Sequence, residues 1–325
     1  MRVIHITSGV ESLSNLDFNM SRAYENINKK STHKINIVSK ENESIQSLLA
    51  KIKNFKPDVI IVFRAPLPTA FLSALKKLQI SIGRWVVDDP HRIDKHVLKS
   101  KPYDFVITQE KNCLSVYKKN DLKAIHGPLA TNEKEYYPMK VNENYVSDIC
   151  FIGTPYKNRL GIIDSLADLL QEKNTFIIGP KWEQLKNYTA LKTSIINQTL
   201  PPNEVAKYYN GAKIVLNLNR PINDVGLNKQ KINAITPNNR TFDIAACQSF
   251  QLTAYLEELE AYYKLKDEII CFKHKEELRE HILYYLEHSE ERQRIAQKAY
   301  NRTLFNHTYT IRLQHFLDQL QSFIK

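Results

Sequence analysis

Arg240 and Asp243 stand three residues apart in the stretch NNRTFDIAACQSFQLT, which runs from Asn238 to Thr253. That spacing puts both on one face of a helix's first turn, where unsatisfied backbone N–H groups and the helix dipole attract anions. Arg240 adds a cation there. Asp243 adds a two-oxygen acceptor suited to a pair of vicinal hydroxyls. Phosphate and ribose diol are neighbours in a nucleoside diphosphate, so the pair fits such a ligand. An internal ion pair, worth about a few tenths of a kcal/mol, fits the same spacing.

Three further stretches of the second half carry groups of the same kind. FIGTPYKNR places Gly153 after an apolar run, with Lys157 and Arg159 entering the next helix. A glycine there lets backbone approach a phosphate, and an arginine pairs with it bidentately; a plain β-α turn with a solvated arginine is the alternative. GPKW sets Trp182 just beyond a strand, to stack on a base or simply to pack. LNLNR ends a strand with Asn217, Asn219 and Arg220, polar tips that either bond a sugar or cap the loop. In the first half, Asp88, Asp89 and His91 cluster in RWVVDDPH. Asp89 or His91 is a candidate general base toward an acceptor hydroxyl, or else Asp89-Pro90 is a turn and His91 a helix start. His5 and Glu11, flanking the loop after the first strand, are weaker base candidates, and Gly9 in that loop admits a close ligand approach.

Absences narrow the chemistry. Only eight glycines occur, and neither G-x-G-x-x-G nor the Walker A pattern is present, which disfavours dinucleotide dehydrogenases and P-loop NTPases. No H-E-x-x-H, cysteine/histidine cluster or D-x-D offers a metal grip. The expectation is therefore no metal and no bound cofactor, with phosphate held by amides, helix dipoles and cationic side chains. Cys113, Cys150, Cys247 and Cys271 are scattered without C-x-x-C spacing, as structural thiols of a reducing compartment are. The formal charge of +11 and pI near 9.2 suit an acidic glycopolymer or a nucleotide substrate. The lysines are spread, paired at most as in Lys29-Lys30 and Lys118-Lys119, so nucleic acid is not the expected partner. Met1 to Thr7 reads as a strand and not a signal peptide, and no apolar run approaches the roughly 20 residues that span a bilayer. The expected location is cytoplasmic.

Elements must position these groups. Apolar runs at Val3-Ile6, Lys34-Val38, Asp58-Phe63, Arg84-Val87, Phe105-Thr108 and Leu122-Ile125 alternate with helical patterns at Leu16-Asn28, Ile45-Asn54, Thr69-Leu78 and Glu110-Lys118. Such alternation predicts βαβ units and a parallel sheet covered on both faces. A polar stretch with Pro128 and Pro138 marks a boundary near residue 142. Alternation then restarts: strands at Asp148-Thr154, Thr175-Ile178, Thr193-Ile196, Lys213-Leu218 and Phe250-Thr253, helices at Leu160-Gln171 and Pro201-Asn210, and a long loop over 219–237. The ending is helical, at Glu276-His288, Glu290-Thr303 and Tyr309-Ile324. The fold class is α/β: two Rossmann-like doubly wound parallel-sheet domains, 1–142 and 143–308, facing a cleft, with a C-terminal helix over 309–325 packing back on the first domain.

The chain resembles the GT-B glycosyltransferases, specifically the CgeB-like (spore maturation) group. DICFIGTPYKNR, NNRTFDIAACQSFQLTAYLEELE, DEIICFKHKEELREHILYYL and HSEERQRIAQKAYNRTLFNHTYTIRL carry the resemblance, joined by RWVVDDPH and GPLATNEKEYYP in the first half. The resemblance implies that the second domain binds a nucleotide-sugar donor, usually a UDP-sugar, and the first faces the acceptor. It implies that Asp243 holds the donor ribose, that Asn239 and Arg240 precede it as in the group, that Gly153 and Arg159 form the phosphate-side loop, and that Thr199 and Leu200 meet the base. Two positions depart: Ile235 stands where retaining relatives carry a second acid, and Gln248 replaces a glycine.

The expected function is metal-independent transfer of a hexosyl or N-acetylhexosaminyl group from a nucleotide sugar to a protein or a cell- or spore-surface glycan, the departing diphosphate being stabilised by Arg159, Arg240 and helix N-termini. A UDP-sugar 2-epimerase on the same fold and a non-catalytic surface-polymer binding protein are the alternatives.

Overall fold

The computed structural model describes residues 1–9, 15–39 and 44–324. It contains two six-stranded sheets, parallel throughout. The first takes β1 (Arg2–Ile6), β2 (Lys34–Val38), β3 (Val59–Phe63), β4 (Ser81–Val86), β5 (Phe105–Thr108) and β6 (Ala124–His126) in the order β2-β1-β3-β4-β5-β6. The second takes β7 (Ser147–Ile152), β8 (Thr175–Ile178), β9 (Ile195–Ile196), β10 (Ala212–Asn217), β11 (Gln251–Ala254) and β12 (Ile270–Phe272) in the order β12-β11-β10-β7-β8-β9. All five residues of β3, VIIVF, are buried, as a strand covered by helices on both faces requires. This is the doubly wound α/β architecture that the alternation of apolar runs predicts.

Chain order reverses between β1 and β3 in one sheet and between β7 and β10 in the other. At such a point the crossover helices leave to opposite faces, opening a crevice beyond the strands' carboxyl ends. The cores are built accordingly. In one, Ile4, Ile6, Ile60, Val62 and Ile82 meet Leu48, Ile52, Leu72 and Leu75 of the overlying helices. In the other, Ile149, Phe151, Ile177, Ile214, Leu216 and Leu252 meet Ile163, Leu170, Leu278, Ile282 and Ile295.

Two compact units divide the chain: 1–129 with 225–236 and 309–325, and 130–224 with 237–308. The division falls earlier than the polarity of the linker suggests, because residues 130–142 pack into the second unit. Tyr136 is buried beside Tyr209 and Ile244 there, and the Met139 N–H donates to Asn210 Oδ1 at 2.8 Å. Residues 225–236 lie within the expected long loop, yet they belong to the first unit. Glu110, buried, accepts from the backbone N–H of Ile235 (3.1 Å) and Thr236 (3.2 Å), and Asp94 accepts from Lys229 N–H at 2.9 Å. The Tyr309–Ile324 helix is part of the same unit.

Several elements have no counterpart in the pattern reading, among them the Ile93–Ser100 helix, the short helices Tyr188–Leu191 and Leu259–Tyr262, and β12. The helix expected over Leu160-Gln171 is two, Lys157–Ser165 and Ala167–Glu172, divided at Leu166. No described helix is long and apolar enough to cross a membrane.

Candidate functional site

The order reversal in the second sheet collects most of the expected residues. Gly153 follows β7, and its N–H donates to Ile178 O at 2.8 Å. Its carbonyl accepts from Trp182 Nε1 at 3.0 Å. A side chain on the neighbouring Gly179, whose φ is +148°, would start 2.3 Å from that carbonyl, so only glycine lets these two loops meet. Trp182 is completely buried, edge-on to Phe151 at 5.5 Å. The expectation that it stacks on a base is corrected: its ring faces the core and its N–H holds the Gly153 loop.

Arg159 is also corrected. It is 3% exposed, and its donors go to backbone carbonyls: Nη1 to Thr154 O (3.0 Å), Nη2 to Leu218 O (2.7 Å) and Nε to Leu218 O (3.2 Å) and Asn219 O (3.3 Å). The guanidinium thus ties the loop after β7 to the loop after β10. Burial, then the charges of Arg240 and Arg220, hold its pKa well below the usual arginine value. Carbonyl dipoles compensate this buried cation. Tyr156 lies between two guanidinium groups, with Arg159 5.0 Å and Arg220 4.9 Å from its ring centroid. Arg220 pairs with Asp224 at 2.6 Å.

The helix Asn239–Ala246 begins at this same place. Asn238 caps it, its Oδ1 accepting from Thr241 N–H at 3.2 Å, a cap worth about 1 kcal/mol. Arg240 is half-buried in the first turn. A Cβ built on Gly153 would stand 3.0 Å from Arg159 Nη1 and 3.5 Å from Arg240 Nη2, so two guanidinium groups border one glycine. Asn217, expected as a sugar contact, is completely buried; its Nδ2 donates to Thr241 Oγ1 at 2.9 Å, and its Oδ1 faces Arg240 Nη1 at 3.4 Å. It orients Arg240 from behind. Asn219 is half-buried, with its carbonyl engaged by Asn158 and Arg159.

Asp243 points inward from the helix. It is 5% exposed, and Asn239 Nδ2 donates to its Oδ2 at 2.8 Å. Burial pushes its pKa up to about 7, against the opposing pull of the Thr131 hydroxyl, Asn239 and Arg240. It is a buried acceptor, not the open one that the sequence suggests. Thr199 is exposed and Leu200 half-buried, both between β9 and the helix Pro202–Gly211, in the same unit.

The remaining candidates belong to the first unit. Asp89 is 2% exposed and fully engaged: Oδ1 with His96 Nδ1 at 2.6 Å, and Oδ2 accepting from Thr108 Oγ1 (2.7 Å) and Tyr117 Oη (2.8 Å). A carboxylate with three such partners is a structural hub, which corrects the expectation of a general base at Asp89. Residues 89–92 form a turn, so the turn reading of this stretch holds; Asp88 has φ +73° and the Asp89-Pro90 bond is cis. His91 is buried in the same turn. Gly9 has φ +65°. His5 is completely buried against Tyr24 and Phe63, and burial lowers its pKa to about 4. Glu11 lies outside the described residues.

Thr131, Tyr156 and Asn238 belong to the site without having been expected there. Asn238 was legible, as an asparagine directly before a helix is a capping signal; the other two are placed by tertiary packing alone. Among the described residues no three His, Cys, Asp or Glu side chains cluster to hold a metal.

Known proteins share this fold. A family described as "Glycosyl transferase-like" matches residues 159–318. The glycosyltransferase from Rickettsia africae superposes with a TM-score of 0.67 at 12% identity, covering 100% of this chain and 98% of that one. Anabaena Alr3699/HepE, in complex with UDP-glucose, superposes with a TM-score of 0.62 at 10% identity, covering 99% and 100%. The fold is that of the GT-B glycosyltransferases, and much of the second half matches the glycosyl transferase-like family. Spore protein CgeB of Bacillus subtilis is 30% identical over 311 residues, 94% of each chain, and the chain belongs to that CgeB family.

Proposed function

We propose that this glycosyltransferase moves a sugar from a UDP-sugar to a protein or a cell- or spore-surface glycan, without a metal ion, in the cytoplasm. One observation carries the reading: Arg159 and Arg240 border Gly153 at the order reversal of the second sheet, beside a capped helix N-terminus. Two neighbouring guanidinium groups raise each other's energy, and a bound diphosphate relieves it.

In this reading Arg240 and the first-turn N–H groups contact the diphosphate, and Arg159 contributes charge and holds the two loops in place. Charge that develops on the departing nucleotide meets these donors already oriented, which is how such sites lower a barrier. The ribose diol replaces Asn239 Nδ2 on Asp243, and the base meets the Thr199-Leu200 backbone. The use of protein cations at the phosphates supports metal independence. Hexosyl and N-acetylhexosaminyl donors fit this chemistry equally. Calorimetric titration with UDP tests the reading: wild type binds, Arg240→Ala binds at least about tenfold more weakly, and EDTA changes neither. Binding undiminished in Arg240→Ala overturns it.

A further inference from the structure

A pocket lies in the first unit beneath the Tyr309–Ile324 helix, and none of the candidate site residues lines it. Met20, Trp85, Leu313 and Phe316 form its apolar part, and Arg312 and His126 are among its polar lining. Its volume is about 130 Å3, close to the ~150 Å3 that accommodates a benzene ring. Among the described residues no carboxylate lines it.

The indole of Trp85 is what makes this more than a packing gap. Trp85 is 1% exposed, and its Nε1 is buried with no hydrogen-bond partner among the described residues. A buried indole N–H left unmade costs roughly 1–3 kcal/mol, and large aromatic side chains with a polar handle ordinarily find a partner when buried. The ring is fixed by Phe316 at 4.8 Å and by Phe63 at 6.0 Å. Gly127 also lines the pocket, and a Cβ there would stand 3.0 Å from the indole. Arg312 supplies a cation anchored through Leu129 O.

We propose that this pocket binds a small carboxylate carried on a single apolar ring. The ring fills the surface made by Met20, Leu313 and Phe316, and the carboxylate oxygens accept from the Trp85 indole and the Arg312 guanidinium. A hydroxylated ring is disfavoured, because its hydroxyls would be buried against apolar side chains. The inference is independent of the donor site.

The chain has two tryptophans, so the indole N–H region of a 15N-labelled sample holds two signals, assigned with Trp182→Phe. Benzoate shifts the Trp85 signal saturably, with a dissociation constant in about the millimolar range, and leaves the Trp182 signal in place. Benzyl alcohol and glucuronate bind at least about tenfold more weakly than benzoate. Arg312→Gln reduces benzoate to the level of benzyl alcohol. Leu313→Phe, which adds bulk without charge, abolishes the shift in a protein whose remaining spectrum is unchanged. A Trp85 signal unmoved by benzoate, moved equally by benzyl alcohol, or still moved in folded Leu313→Phe overturns the proposal.

Discussion

Arg159 and Arg240 converge on Gly153 from two different helices, their nearest nitrogens 3.0 and 3.5 Å from where a side chain there would begin. Each is placed by neutral acceptors, Arg159 by three carbonyls and Arg240 by Asn217. Their positive charge therefore stays available to an incoming anion.

Gly153→Ala probes that geometry. The new methyl meets Arg159 Nη1 at 3.0 Å and Phe151 Cζ at 3.1 Å, and neither moves freely: one is bonded to carbonyls, the other lies in the core. Overpacking of this kind costs about 1–2 kcal/mol. Thermal denaturation reads that modest loss, and calorimetry reads at least about a tenfold fall in UDP affinity, because sub-ångström displacement of a positioning group is expensive.

Asp243 gives a pH signature. Its carboxyl titrates near 7 in the fold and near 3.9 in an unfolded chain. Between those values the folded state holds the extra proton, so stability declines as pH rises from about 4 to about 7, and levels off above. The decline amounts to about 4 kcal/mol at most. Asp243→Asn removes this dependence in denaturant titrations across the range. If Asp243 receives the ribose diol as a carboxylate, UDP affinity of the wild type rises through pH 7, and that rise is missing in the variant.

Asp89→Asn separates structure from catalysis. Turning part of this acceptor into an amide donor breaks a buried network with His96, Thr108 and Tyr117, at a cost of about 3 kcal/mol. Urea unfolding shows the loss. The pH profile of turnover keeps its shape, since Asp89 acts as a hub and not as the base.

Gln248 invites stabilisation. It follows the Asn239–Ala246 helix with φ +56°, a left-handed conformation that glycine adopts freely and glutamine does not. Its side-chain bond to Gln297 is exposed and contributes little. Gln248→Gly raises stability by about 0.5–1 kcal/mol, read as a higher melting temperature with unchanged UDP binding.

The sheets were legible because buried parallel strands are written as short apolar runs; VIIVF can hardly be anything else. The neighbourhood of Arg240 was legible too, as helix-start chemistry is local. What escaped was decided at long range. Trp182 and Asp89 look like site residues from their neighbours in sequence, yet Phe151 and Gly153 bury the one, and partners at positions 96, 108 and 117 occupy the other. Residues 225–236 read as a loop of the second domain. Glu110, more than a hundred positions earlier, holds their end in the first unit.

A crystal structure with UDP is the most direct test of the central claim, that the second unit grips a nucleoside diphosphate with Arg240 and the start of its helix. The account predicts phosphate oxygens within about 3 Å of the Arg240 guanidinium and of first-turn N–H groups, with the ribose hydroxyls on Asp243. UDP bound at another place, or crystals that exclude it at saturating concentration, contradict the account.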